Sequence, residues 1–251
     1  MDIYKYHSCE NSFLILEGIL DLDYSSISKK LCEEYITDGL LVLNKKPLEM
    51  LVFNKDGSEA NMCGNGIRCL VNYLYDKNYI TKNVSIKTKA GIFECEVIET
   101  NPFVSVVNLG NGVYQNEIIK KEIEIKGKKY TVTLFELGVL HAVVIAEDFT
   151  LDEMVLVDLF NHSLLRGKAN VNLVKPLNTN IFEVITYEKG VGFTKACGTG
   201  VAASGYVLKD LYNLDENLIA ICPGGILKVS INDNVYLTGE SNFVDCYEVS
   251  L

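Results

Sequence analysis

Cys63-Gly64-Asn65-Gly66-Ile67-Arg68-Cys69 and Cys197-Gly198-Thr199-Gly200-Val201-Ala202-Ala203 share one pattern: Cys-Gly-x-Gly running into a helical segment. The likeness extends upstream. Asn54, in Asn54-Lys55-Asp56-Gly57-Ser58, lies nine residues before Cys63, and Glu188, in Glu188-Lys189-Gly190-Val191-Gly192, lies nine before Cys197. Each block follows an apolar, strand-like run. The spacing reads as a weak internal duplication, with one motif in each half.

After the first block, Ile67, Leu70, Val71 and Leu74 recur at the spacing of an amphipathic helix with one face inward. After the second, Val201, Gly205 and Leu208 mark a face whose small residue permits close packing. Both cysteines then sit at or just before a helix N-terminus. Unpaired backbone N–H groups and the positive end of the dipole point outward there. Glycine lets an anion such as a carboxylate approach those amides. A thiol in that position is favoured as thiolate. Two such thiols acting on one bound amino acid would invert its α-carbon. One removes the α-proton from one face, the other returns a proton to the opposite face, and no cofactor is needed.

The surrounding sequence fits a strand-rich globular protein. The 251 residues are 48% hydrophobic and 22% charged, which excludes disorder, collagen-like repeats and coiled coil. No apolar run approaches the roughly 20 residues of a membrane span. Residues 1–7 lack the apolar centre of a secretory signal. A net charge of -10 disfavours nucleic acid and anionic membranes as partners. Strand-like runs include Phe13–Leu16, Leu40–Leu43, Val84–Lys87, Phe93–Ile98, Val104–Leu109, Tyr130–Phe135, Ala142–Ile145, Ile181–Tyr187, Ile226–Ile231 and Val235–Leu237. Helices are few: one with Ile27, Leu31 and Tyr35 on a face after a Ser25-Ser26 cap, one over Met154–Phe160, and the two behind the cysteine motifs. That balance predicts an α+β fold. The polar stretch Gln115–Lys129 is the expected boundary. It gives an N-terminal domain over 1–115, to which a last strand in 241–251 returns, and a C-terminal domain over 116–240.

Eight cysteines without CxxC spacing and without an export signal indicate the reducing cytoplasm rather than a disulfide scaffold. Cys9, Cys32, Cys69, Cys95, Cys222 and Cys246 read as inert packing thiols. A zinc site from Cys63 and Cys69 fails, because six residues apart on a helix they face different ways. No metal site is expected. Gly198-Thr199-Gly200-Val201-Ala202-Ala203 also fits a dinucleotide pattern, but a polar stretch, Glu188–Lys195, separates it from the preceding strand. His7, His162 and Arg68 read as structural.

The two cysteine blocks in this order resemble those of diaminopimelate epimerase and related pyridoxal-phosphate-independent amino-acid racemases. Smaller matches are Asn11 with Phe13, Asp38-Gly39-Leu40-Leu41, Gly138 with His141, Asn170, Pro223-Gly224-Gly225 and Thr238-Gly239-Glu240. The resemblance implies two similar β-barrel-like domains, each around a central helix, with the active site in the cleft between them. It implies Cys63 and Cys197 as the acid/base pair, assisted by His141 and Glu188, with no cofactor. The substrate carboxylate would lie on the amides around Gly64-Asn65 and Gly198-Thr199, and the ammonium against Glu188. Asn11, Asn54, Asn170, Lys189 and the position of Val139 complete the substrate-binding set. A homodimer is compatible with the resemblance.

Three positions depart from the family pattern. Lys189 stands where the family has Arg, exchanging a bidentate fork for a point charge. Val139-Leu140 stands where the family has Asn-Pro before its His. His7-Ser8-Cys9-Glu10-Asn11-Ser12-Phe13 replaces a loop of glycines and an Asp. The α-carbon machinery is retained and the side-chain pocket altered. A racemase for another amino acid is therefore expected, histidine first. The alternatives are an ordinary diaminopimelate epimerase and an inactive amino-acid-binding protein of the same fold, which would have no need of two thiols.

Overall fold

The computed structural model describes residues 1–18, 22–115, 118–145 and 153–250. The chain divides into two units, Met1–Asn108 with Thr238–Leu251, and Leu109–Leu237. The boundary expected at 115/116 falls inside the second unit, and residues 116 and 117 lie outside the described residues.

Unit 1 runs β1 (Asp2–Ser8), β2 (Asn11–Glu17), α1 (Tyr24–Glu34), β3 (Gly39–Lys45), β4 (Leu48–Asn54), β5 (Glu59–Ala60), α2 (Gly64–Asp76), β6 (Asn83–Thr88), β7 (Gly91–Thr100) and β8 (Phe103–Asn108). Unit 2 continues with β9 (Val113–Tyr114), β10 (Lys121–Ile125), β11 (Lys128–Leu137), β12 (Val139–Ile145), α3 (Glu153–Asn161), β13 (Asn170–Pro176), β14 (Ile181–Glu188), β15 (Gly192–Thr194), α4 (Gly198–Tyr212), β16 (Asn217–Cys222) and β17 (Gly225–Ile231). The change back to unit 1 falls within β18 (Val235–Glu240), and β19 (Asn242–Glu248) completes unit 1 by pairing antiparallel with β1. The Met1 amine donates to the Val249 carbonyl at 2.8 Å.

The suspected duplication is visible in strand pairing. In unit 1 an antiparallel hairpin, β1–β2, is followed by α1 and a parallel step to β3. Next come antiparallel β4, the short flap β5, then α2 and a parallel step to β6 with its antiparallel partner β7. Unit 2 repeats the series as β11–β12, α3, β13, β14, β15, α4, β16 and β17. A parallel step needs a long crossover, and the helices supply it. Asn54 and Glu188 both end the strand that precedes the flap.

Several elements differ from the expectation. The helix α2 is not amphipathic in its burial: every residue from Gly64 to Leu74 is buried. Strands pack around it rather than beneath it, so Arg68 and Asn72 go inside with the apolar residues. Helix α1 is capped by Asp23, not by the serines; its carboxylate accepts from the Ser26 amide and hydroxyl. The polar stretch 115–129 contains β10, where Ile123 and Ile125 turn inward and the intervening charges outward. β1, β13 and β16, not read from the sequence, are also strands, as are the short β5, β9 and β15.

Each unit has its own apolar core on the far side of its sheet from the central helix. In unit 1 it joins Ile3, Leu14, Leu16, Leu31, Leu40 and Val42. In unit 2 it joins Val132, Val144, Leu156, Leu159, Val171 and Leu173. Gly205 of α4 lies so close to β17 that an added Cβ would meet Val229 Cγ1 at 3.0 Å, as its small-residue face suggested. No helix among the described residues is long and apolar enough to cross a membrane.

Candidate active site

Cys63 and Cys197 occupy the same place in their units. Each is the N-cap residue of the central helix, in extended backbone conformation, φ -138° and -105°. The sequence folds this way because glycine follows each cysteine directly and again two residues later, so the first turn carries little side-chain bulk. In unit 1 the Gly66 amide donates to Cys63 Sγ at 3.4 Å. In unit 2 Cys197 Sγ lies 3.6 Å from Thr199 Oγ1 and within hydrogen-bonding reach of the Glu188 carboxyl. Gly64, Asn65 and Gly198 are buried at the first turns, and Thr199 is half-buried. Both cysteines are unbridged.

The surroundings of the two thiols differ. Glu188 ends β14, and Thr194 of β15 donates to its Oε1 at 2.7 Å. Burial raises the Glu188 carboxyl above the ordinary carboxylate range, and the bonds from Thr194 and Cys197 pull it partly back. Asn54, its counterpart in unit 1, is uncharged and donates to Ser58 Oγ at 2.9 Å. Unit 1 has its charge elsewhere. Arg68 is fully buried, with Nη2 bonded to Asn65 Oδ1 at 2.6 Å and to Ser8 Oγ at 2.9 Å. The Asn65 side-chain oxygen is thus engaged by Arg68, and the side chain is buried.

A polar row crosses the α4 side of the unit 2 sheet. His141 on β12, Asn172 on β13 and Thr186 on β14 are buried in strands whose other residues are largely apolar. Thr194 lies opposite Thr186 and leads to Glu188. Burial lowers the His141 imidazole from 6.5 to about 3, so it is neutral at physiological pH. A neutral imidazole can donate or accept a hydrogen bond but is not a base poised near neutrality. The unfolded imidazole takes up a proton below about 6.5 and the folded one only near about 3, so stability falls as pH falls through that window. His141→Gln is expected to flatten this part of the stability curve by about 1.4 kcal/mol per pH unit, measured by urea unfolding at several pH values.

The expected substrate-binding residues are placed as follows. Asn11 begins β2, and its buried Oδ1 has no hydrogen-bond partner among the described residues. Asn170 begins β13, and its Oδ1 accepts from the Lys189 amide at 2.9 Å. That bond ties the turn after Glu188 to the start of β13 through the Asn170 oxygen and does not involve its NH2. The Lys189 side chain is exposed, and Val139, at the start of β12, is 42% exposed. Within unit 2, Glu188, Thr194, Cys197 and Thr199 are joined by contacts, as are Asn170 and Lys189; Gly198 begins the helix that Cys197 caps. Cys69 is buried, and burial pushes its thiol far above the ordinary range. Among the described residues, no group of three or more His, Cys, Asp or Glu is arranged to hold a metal ion. Sequence reading missed Ser8, Asn172, Thr186 and Thr194, each a single polar residue in or beside a strand with no motif around it.

Comparison with known proteins agrees with this architecture. The family model described as diaminopimelate epimerase matches twice, over residues 3–114 and 133–244, one match for each half of the duplication. A diaminopimelate epimerase from Clostridium perfringens is 32% identical over 267 residues, covering 97% of each chain. One from Alkaliphilus metalliredigens is 31% identical over 261 residues, covering 94% of this chain and 92% of the relative. Among solved structures, a probable proline racemase from Agrobacterium radiobacter superposes with a TM-score of 0.78 at 12% identity, covering 100% of this chain and 93% of the other. A hydroxyproline epimerase from Agrobacterium vitis gives 0.74 at 11% identity, covering 99% and 90%.

Proposed function

Because this chain belongs to the diaminopimelate epimerase family of pyridoxal-phosphate-independent isomerases, we propose that it inverts the α-carbon of a free amino acid with Cys63 and Cys197 as its two bases. The observation that carries this is the equivalent placement of the two thiols, each capping the central helix of its unit. One thiolate takes the α-proton and becomes a thiol. The other thiol gives its proton to the opposite face of the carbanion and becomes a thiolate, so the next turnover runs in reverse. The helix-start amides hold the α-carboxylate and stabilise the charge that develops on it. Glu188, whose carboxyl burial raises above the ordinary carboxylate range, exchanges a proton with Cys197, and the neutral His141 donates a hydrogen bond.

We assign the substrate to a polar amino acid without a distal carboxylate, with histidine first. Support comes from Lys189 in place of the family's Arg and Val139 in place of its Asn. A site that bonds a distal zwitterion discriminates through those partners, and here one is missing and one is weakened. Asn54 Oδ1 and the Asn170 NH2 suit the ring nitrogens of an imidazole, and Val139 and Leu140 its carbons. The second reading, diaminopimelate itself, is favoured by the name borne by relatives at 31–32% identity. A chiral assay of the common L-amino acids beside LL-diaminopimelate separates the readings, scored by α-deuterium wash-in from D₂O. Histidine is expected to turn over with the highest kcat/KM. Preference for diaminopimelate by a large factor would show that Lys189 merely replaces Arg. No exchange with any amino acid would leave a binding protein.

A further inference from the structure

We infer that Asn172 is a positioning residue that holds His141 as the neutral tautomer bearing its proton on Nε2. It rests on the reading that His141 serves the isomerisation. Asn172 lies one strand away from His141, on the parallel partner of its strand, with Nδ2 3.2 Å from His141 Nδ1. Either atom of that pair could carry the shared proton if the amide were free to flip. Three neighbours prevent the flip. The Thr186 hydroxyl donates to Asn172 Oδ1 at 3.0 Å. The carbonyl oxygens of Ala142 and Asn170 each lie 3.5 Å from the other amide atom. A carbonyl only accepts, so the atom facing both must be the NH2. The same NH2 meets His141 Nδ1, which must therefore accept.

An imidazole that is neutral and accepts at Nδ1 carries its hydrogen on Nε2. His141 Nε2 is fully buried and has no hydrogen-bond partner among the described residues. An N–H left without a partner inside a protein is costly unless a ligand meets it. The arrangement thus supplies a fixed, uncharged donor to a reacting group that develops negative charge. Asn172 also reaches the other end of the site. Its Oδ1 lies where a Cβ on Gly200 would be, against the first turn of the helix that Cys197 caps. One amide thereby sets the imidazole and packs against the thiol's helix. Nothing in the Cys-Gly-Thr-Gly motif announces this, since Asn172 lies far upstream on β13.

The test is the ¹⁵N spectrum of the three histidines in labelled, ligand-free protein. His7→Gln and His162→Gln variants assign the signals. His141 is expected to show a pyrrole-type Nε2 and a pyridine-type Nδ1 at neutral pH. Asn172→Asp offers only acceptors and is expected to move the proton to Nδ1. It should also slow α-deuterium exchange by roughly tenfold or more in kcat, with a smaller change in KM. Asn172→Leu, which offers neither, should give a mixture of tautomers if the aspartate variant does not fold. A pyrrole-type Nδ1 in the unaltered protein, or no tautomer change in a folded Asn172→Asp variant, would overturn the assignment. So would a tautomer change without an effect on exchange, which makes Asn172 a packing residue only. The ¹⁵N tautomer results do not depend on the two-thiol reading, which stands or falls on the cysteine variants; the exchange readout applies once exchange by the unaltered protein is seen.

Discussion

Cys63→Ser and Cys197→Ser are each expected to abolish turnover, by at least roughly 10³-fold in kcat, while Cys69→Ser retains it. A serine hydroxyl at the helix start is still a capping group, so the fold should survive. What is lost is a group acidic enough to be ionised and basic enough to take an α-proton. Cys69 is the internal control, because it shares the helix with Cys63 but is fully buried. The two losses should differ from a simple inactivation. Elimination of HX from a β-halo amino acid needs only one base, so each single serine variant should retain it when the remaining thiol faces the α-proton. The double variant should lose both reactions. The measurement is chiral chromatography for inversion beside halide release for elimination. Full inversion by either single variant would refute the assignment.

The motif was legible because its chemistry is local. Cysteine, glycine, one residue and glycine before a helical run state a helix cap within four positions, and both copies cap a helix. The strands that build the site were less legible. His141, Asn172 and Thr186 meet because β12, β13 and β14 are neighbours in register, and that register is set by long-range pairing. Each is one polar residue in an apolar strand, so only the fold reveals that they form a row. Burial adds something the sequence does not carry. His141 is readable as a proton-transfer group from its family position, and nothing local shows that burial holds its imidazole neutral. The burial of α2 on every side was hidden for a related reason. Helical periodicity records where apolar residues repeat, and it cannot show that Arg68 and Asn72 find internal partners in Ser8, Asn65 and the Ser241 carbonyl.

Gly200→Ala is expected to destabilise unit 2 by roughly 2–5 kcal/mol, whereas Gly66→Ala should cost much less. The two glycines hold the same place in the two motifs and have different neighbours. A methyl group on Gly66 would meet Leu41 Cδ2 at 3.0 Å and Cys63 Cβ at 3.3 Å, where a leucine tip can shift by a few tenths of an ångström. On Gly200 it would collide with Asn172 Oδ1, and that amide cannot yield without breaking its bonds to Thr186 and His141. The cost is therefore overpacking plus unsatisfied buried polar groups. Urea unfolding of Gly200→Ala, Asn172→Ala and the double variant checks the cause. The double variant should be more stable than the sum of the single losses predicts, since removing the amide removes the collision. Additive losses would mean that Gly200 is needed for some other reason.

The pairing of β1 with β19 has a consequence for how the protein is made. Unit 1 is encoded in two pieces with all of unit 2 between them. A ribosome delivers β1 before unit 2 and its partner strand only after it. While unit 2 emerges, on the order of ten seconds of synthesis at typical rates, one edge of β1 has no strand beside it. Tyr6, which in the finished protein packs against Phe243 of β19, lacks that cover for the same interval. An open edge is a template for pairing with another chain. Unit 2, continuous in sequence and with its own core, can close as soon as it is complete. The vulnerable stage in the birth of this enzyme therefore belongs to its N-terminal half, which waits longest for its last strand.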